Sequence, residues 1–213
     1  MIPSGTQFIG FSDSVNLTER RSASVNAETA VYTIDDIRGY KVYTALLTQS
    51  GEEEELSQAS GAVEQGVSYF IGTPKPGSGW DFSNVGGPIW PDMTPFVANS
   101  NNTPNNYGSA TLVYNTGAPV VTVLEDNIGN IWFTYEGIGN YNINSNSSEN
   151  FNSAKTFVIL TNNLSGNHGI IEENMALGFE CYSNGTITLT TAINDAYLDG
   201  VLFNTPIEIR VYN

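Results

Sequence analysis

The sequence predicts an all-β protein, a β-sandwich or jelly-roll-like body preceded by an extended N-terminal segment, and three observations predict it. From Tyr40 onward, short runs of alternating apolar and polar residues recur, separated by Gly- and Asn-rich breaks. The chain holds 21 Gly, with much Asn, Ser and Thr and an aromatic share of 11%, a composition of strands and turns rather than helices. Before Tyr40 this pattern is missing. Residues 1–39 are polar and low in strand pattern, and they include Arg20, Arg21 and Arg38, three of the seven basic residues. We therefore divide the chain into a segment 1–39, which lacks the large apolar residues of a core and is expected to lie on another surface, and a β body 40–213.

Taken in order, Val31 to Ile37 reads as a strand leading into one helical turn, with Thr33 as N-cap and Asp36 three residues on. Lys41 to Gln49 alternates with period two and ends at Ser50-Gly51. Glu52 to Glu55 reads as a solvated loop or the first turn of a short helix, where acids favour the dipole. A calcium site there would need a turn between the carboxylates to make them converge. Gly66 to Gly72 is the next strand, followed by a Gly-, Pro- and Trp-rich excursion from Thr73 to Pro95. Phe96 to Ala98 and Ser109 to Tyr114 frame an Asn-rich turn.

The second half reads more clearly. Pro119 to Glu125, a turn at Asp126 to Asn130, Ile131 to Glu136 and Gly139 to Ile143 form a three-stranded meander. Thr156 to Thr161, Ala176 to Tyr182, Thr186 to Thr191 and Thr205 to Tyr212 continue the sheet. At least eight strands with short connections make a sandwich or jelly roll the expected body.

Charge excludes several functions. Up to Lys41 there are five acids against four bases, whereas the remaining residues carry 17 acids against three bases. Such a body repels polyanions, so neither nucleic acid nor an anionic membrane is an expected partner. No run has the length and hydrophobicity of a membrane span, and the start lacks a signal-peptide pattern, so synthesis in the cytoplasm is expected. The lone Cys181, inside an apolar strand, is expected to be a buried core thiol, and no internal disulfide can form.

Catalytic chemistry finds no anchor in the sequence. His168 is the only histidine and sits in a turn-like Ser-Gly-Asn-His-Gly segment with no nucleophile and orienting carboxylate placed by spacing. The G-x-S-x-G elbow, the phosphate loop and paired His or Cys at ligand spacing are all missing. We expect no catalytic residues, no cofactor and no metal. Trp80 and Trp90 are candidate glycan contacts, because indole rings stack on sugars while nearby Asn and Asp bind hydroxyls. Their alternative role is a small core that pins the long excursion.

Three segments carry a resemblance. Tyr43 to Gly51, Ala118 to Gly129 and Asn204 to Tyr212 resemble a recurring β module of tailed-bacteriophage virion proteins. In that pattern the Thr-Gln-Ser-Gly segment runs almost directly into the Ala-Pro segment. Here residues 52–117 intervene, and within them Gly66 to Ile71, Asp81 to Gly86 and Pro95 to Pro104 resemble a second small module of phage structural proteins. Val15 to Ser22 and Val31 to Ile37 are similar to leaders that precede the first module.

The resemblance implies a non-enzymatic virion structural protein, a capsid head fibre or decoration protein, with a tail-fibre component or glycan-binding adhesin module as the alternative. Its place would be the virion surface, on capsid or tail. Residues 1–39 would be the attachment segment, docking through Arg20, Arg21 and Arg38 on capsid or tail proteins. The acidic body would face outward, and a homo-oligomer, preferably a trimer, is expected.

Overall fold

A computed structural model describes residues 39–72, 79–147, 150–161, 175–181 and 185–212. The chain divides between Tyr40 and Lys41, and Lys41–Asn213 forms one compact unit. The expected attachment segment 1–39, with its strand at 31–37, lies outside the described residues apart from Gly39.

The architecture is all-β. The strands are β1 (Tyr40–Thr48), β2 (Glu55–Gln58), β3 (Ser68–Ile71), β4 (Phe96–Val97), β5 (Leu112–Asn115), β6 (Val120–Asp126) and β7 (Ile131–Gly137). There follow β8 (Asn140–Ser145), β9 (Thr156–Leu160), β10 (Met175–Cys181), β11 (Thr186–Ile193), β12 (Ala196–Tyr197) and β13 (Thr205–Tyr212). Among the described residues they form three sheets, ordered β6-β1-β13-β9, β10-β11-β8-β7 with β12 paired to β11, and β2-β5-β3-β4.

The first two sheets make the sandwich, and the alternation along each strand explains why. In β13, Ile207, Ile209 and Val211 are buried while Pro206, Glu208 and Arg210 between them are half-buried. From the other sheet β8 contributes Tyr141 and Ile143, and β11 contributes Ile187 and Leu189. Together with Tyr43, Ala45 and Leu47 of β1 and Phe133 of β7 they form one continuous core. Period-two side chains on two sheets can bury their apolar halves only against one another.

The turn between β6 and β7 is set by Asp126, whose Oδ1 accepts the backbone amides of Ile128 at 3.0 Å and Gly129 at 2.7 Å. Between β7 and β8, Gly139 has φ +64°, and a Cβ there would stand 2.4 Å from the Thr191 carbonyl oxygen. Only glycine meets both demands without strain.

The third sheet belongs to residues between β1 and β6 and has a core of its own. Tyr69, Ile71, Trp80, Phe82, Val85, Phe96 and Leu112 are all buried there. The Glu52 to Glu55 run is neither helix nor wholly loop, because Glu55 opens β2, which pairs with β5 through Glu55 with Asn115 and Leu56 with Tyr114. Strand β2 exists because its partner supplies the ladder, so its own pattern gave little sign of it.

This insertion packs on the sandwich at β6 and β7, each an edge strand of its own sheet. The Val121 amide donates to the Gly66 carbonyl at 3.0 Å, and the Phe133 amide donates to Ser68 Oγ at 2.9 Å. Edge amides that would otherwise invite another chain are thus occupied. Gly66 has φ +86°, and a Cβ on it would lie 2.4 Å from the Val121 carbonyl oxygen, so the approach depends on glycine. Cys181, expected to be buried, is half-buried at the end of β10, and burial raises its thiol pKa.

Candidate functional site

The part of the Gly/Pro/Trp excursion that the structure describes, residues 79–95, folds back on itself around Asp81. Its backbone forms bridges to Ile89 and to Asn106, and Phe82 donates to the Pro88 carbonyl at 3.1 Å. A 3-10 turn at Ser83–Val85 ends on Gly86, whose φ of 85° is left-handed. The Asp81 carboxylate accepts from Ser83 N at 3.0 Å, Ser83 Oγ at 2.6 Å and Asn105 Nδ2 at 3.2 Å. These hydrogen bonds hold its carboxyl below the usual carboxylate range. Asp92 is lowered in the same way by the hydroxyl and amide of Thr94.

This frame treats the two indoles differently. Trp80 is only 3% exposed and belongs to the insertion's core, whereas Trp90 is 49% exposed. The rings meet edge to face at 6.5 Å with an interplanar angle of 83°, and the Trp90 amide donates to the Trp80 carbonyl at 3.0 Å. Such a pairing is a favoured aromatic geometry and fixes the outer ring on the inner one. The structure brings both candidate contact residues together, yet it offers only the Trp90 ring to solvent. Ile89 and Met93, also about half exposed, flank Trp90 in sequence. Sequence reasoning passed over these two, since they follow no strand or helix period.

The candidate docking residues Arg20, Arg21 and Arg38 lie outside the described residues, as does His168. Among the described residues no group of three or more His, Cys, Asp or Glu side chains could hold a metal ion.

A polar centre that the sequence did not signal is Asp199. Its Oδ2 accepts from the Tyr135 hydroxyl at 2.8 Å, and its Oδ1 accepts from the Tyr141 hydroxyl at 2.8 Å and the Gly139 amide at 2.7 Å. Burial first, then the Asp199 hydrogen bond and charge, push the Tyr135 phenol up to about 12 and raise that of Tyr141 as well. These links tie the β7–β8 turn to the segment after β12, a bracing role.

The chain matches no protein-family model, no curated protein and no solved structure.

Proposed function

We propose that this chain is a non-enzymatic virion structural protein of a tailed phage, a head fibre or decoration protein held by residues 1–39 with its acidic β body facing outward. The observation that supports it most is where the insertion joins the sandwich. The Thr-Gln-Ser-Gly and Ala-Pro segments, which follow each other almost directly in the module this chain resembles, flank residues 52–117 here. Thr48 nevertheless pairs with Val120 across adjacent strands. A braced two-core body suits display, because the insertion covers part of the β6 and β7 edges, which would otherwise invite stray chains. Attachment would come from the leader adding strands to a partner's sheet edge, with Arg20, Arg21 and Arg38 pairing with partner acids. The capsid or tail protein is the partner in this scheme, and a homotrimer is the preferred assembly.

The test is a deletion of residues 2–38. The remaining body is expected to fold and to be lost from particles purified by density gradient, while the full chain stays with them. Undiminished incorporation would sink the proposal. Sedimentation at micromolar concentration is expected to show a trimer, and a lone monomer would count against that assembly.

One observation favours a second reading, a glycan-binding adhesin module. Trp90 presents about half of its surface on a braced loop beside Asp92, an arrangement suited to stacking on a sugar. A glycan array with the full chain should then give a hit that Trp90→Ala removes.

A further inference from the structure

The outer face of the β10-β11-β8-β7 sheet carries a regular polar array. In β8, Tyr141 and Ile143 are buried in the core, so Asn140, Asn142 and Asn144 lie on the opposite face, each half-buried. The register sets these three beside Thr190, Thr188 and Thr186 of β11. On the other side it sets Asn144 beside Trp132 and Asn142 beside Thr134 of β7, where the buried Phe133 between them shows that both point outward. Like groups recur about 7 Å apart along a strand and about 5 Å apart across strands.

Packing does not require this composition. Asn is depleted from strands, and three at alternate positions of a strand enclosed by two others forgo β propensity that Thr or Val would supply. The side chains are bonded to one another instead. Thr188 Oγ1 donates to Asn142 Oδ1 at 2.9 Å, Thr186 Oγ1 to Asn144 Oδ1 at 3.3 Å, and Asn144 Nδ2 to Thr134 Oγ1 at 3.3 Å. These cross-strand bonds fix the rotamers, so little side-chain freedom remains to be lost on binding. Carboxamides and hydroxyls both donate and accept, and the ladder uses only part of that capacity.

The charge of the face narrows its ligand. Strands β7, β8, β10 and β11 contain no Lys or Arg and only two acids, Glu136 and Glu180, in a chain that holds 22. Both are exposed and stand at the margins, Glu136 on β7 and Glu180 on β10. An anionic polymer would find no counter-charge here and two repelling carboxylates. Half-buried Trp132 adds an aromatic surface at one end of the Asn row. Indoles stack on the C–H faces of sugar rings, while carboxamides and hydroxyls bind sugar hydroxyls. An open face suits a chain lying across it rather than a small molecule that needs enclosure.

We infer that the outer face of this sheet binds a neutral glycan chain, with Asn142 and Thr188 as hydrogen-bonding groups and Trp132 as the stacking surface. The site shares no residue with the Trp90 loop and does not rest on the virion assignment.

Affinity electrophoresis of the full chain in gels holding soluble glucan, mannan, xylan or galactomannan, with alginate as the anionic control, tests it. At least one neutral polymer is expected to retard the chain, and alginate is not. Thr188→Val and Asn142→Val each remove a polar group from an outward position that a β-branched residue suits. Thermal unfolding should therefore change little, while affinity for the hexasaccharide of the retarding polymer falls about fivefold to tenfold in calorimetric titration. Trp132→Ala should lower it further, and Trp132→Phe should recover part of that loss. Retardation by no neutral polymer, or equally by alginate, overturns the inference. So does binding that persists in all of these variants or is lost only in Trp90→Ala. If the face instead covers a second copy, no polymer retards the chain and Asn142→Val shifts a sedimenting oligomer to monomer, which also overturns it.

Discussion

Thr48 and Val120 face each other across the β1–β6 ladder, although residues 49–119 lie between them. Directly opposed strand residues stand about 5 Å apart, which is the span of a tight hairpin. The insertion is therefore spliced where a short turn would suffice, and it has a core of its own, with Val97 packed against the sandwich core and Val120 against the insertion's.

Replacing residues 52–117 by a two-residue Asn-Gly turn should leave a sandwich that unfolds cooperatively with an all-β circular dichroism spectrum. Because β6 and β7 lose their cover, this variant should melt lower and self-associate more than the full chain. Loss of a cooperative transition would show that the two cores are interdependent.

Ser68 is the polar pin between insertion and sandwich, buried with its Oγ accepting from the Phe133 amide at 2.9 Å. Ser68→Ala leaves that amide without a partner and should cost about 1–3 kcal/mol in urea unfolding. Gly66→Ala should cost at least as much, since it adds a side chain at φ +86° against the Val121 carbonyl. A variant as stable as the parent in either case would contradict the described packing.

The Asp199 carboxylate accepts three hydrogen bonds, from Tyr135, Tyr141 and Gly139. Asp199→Asn keeps the shape but replaces one acceptor oxygen by a donor NH₂ group, and should destabilise by about 1–3 kcal/mol. A double-mutant cycle with Tyr135→Phe should then show non-additivity, because both changes remove the same bond.

Alkaline stability follows from the tyrosines. Burial above all raises the Tyr69 phenol from its ordinary value of 10.0 to about 12 in the folded protein. The folded state holds this proton more tightly than the unfolded chain. Its contribution is present in full below pH 10.0 and declines as the pH rises toward about 12. Tyr135 acts in the same sense and over the same range. Urea midpoints should fall across this window together with the phenolate absorbance rise. Tyr69→Phe should flatten the fall, and an unchanged slope would contradict the assignment.

The two indoles should separate cleanly on substitution. Trp80→Ala empties part of the insertion's core and should cost about 3–5 kcal/mol. Trp90→Ala, at a half-exposed site, should cost much less, and thermal denaturation of both variants checks the ranking.

The long strands were legible because alternation survives wherever one face meets a core. Thr205 to Tyr212 and Ile131 to Glu136 show it residue by residue, and both became strands over nearly those bounds. Strands β2 and β12 were not legible. Glu55 to Gln58 and Ala196-Tyr197 are short, largely exposed pieces whose extended form is imposed by their partners β5 and β11.

By itself the sequence determined the fold class, the positions of the long strands and the acidic balance, because periodicity, turn residues and charge are local properties that need no partner. Tertiary structure alone decided that Thr48 meets Val120, that Trp80 is inside and Trp90 outside, that Asp199 gathers two tyrosines, and that the Tyr43 hydroxyl is buried. Each of these is a contact between residues distant in the chain, and only the packing of three sheets chooses among the many pairings the strands allow.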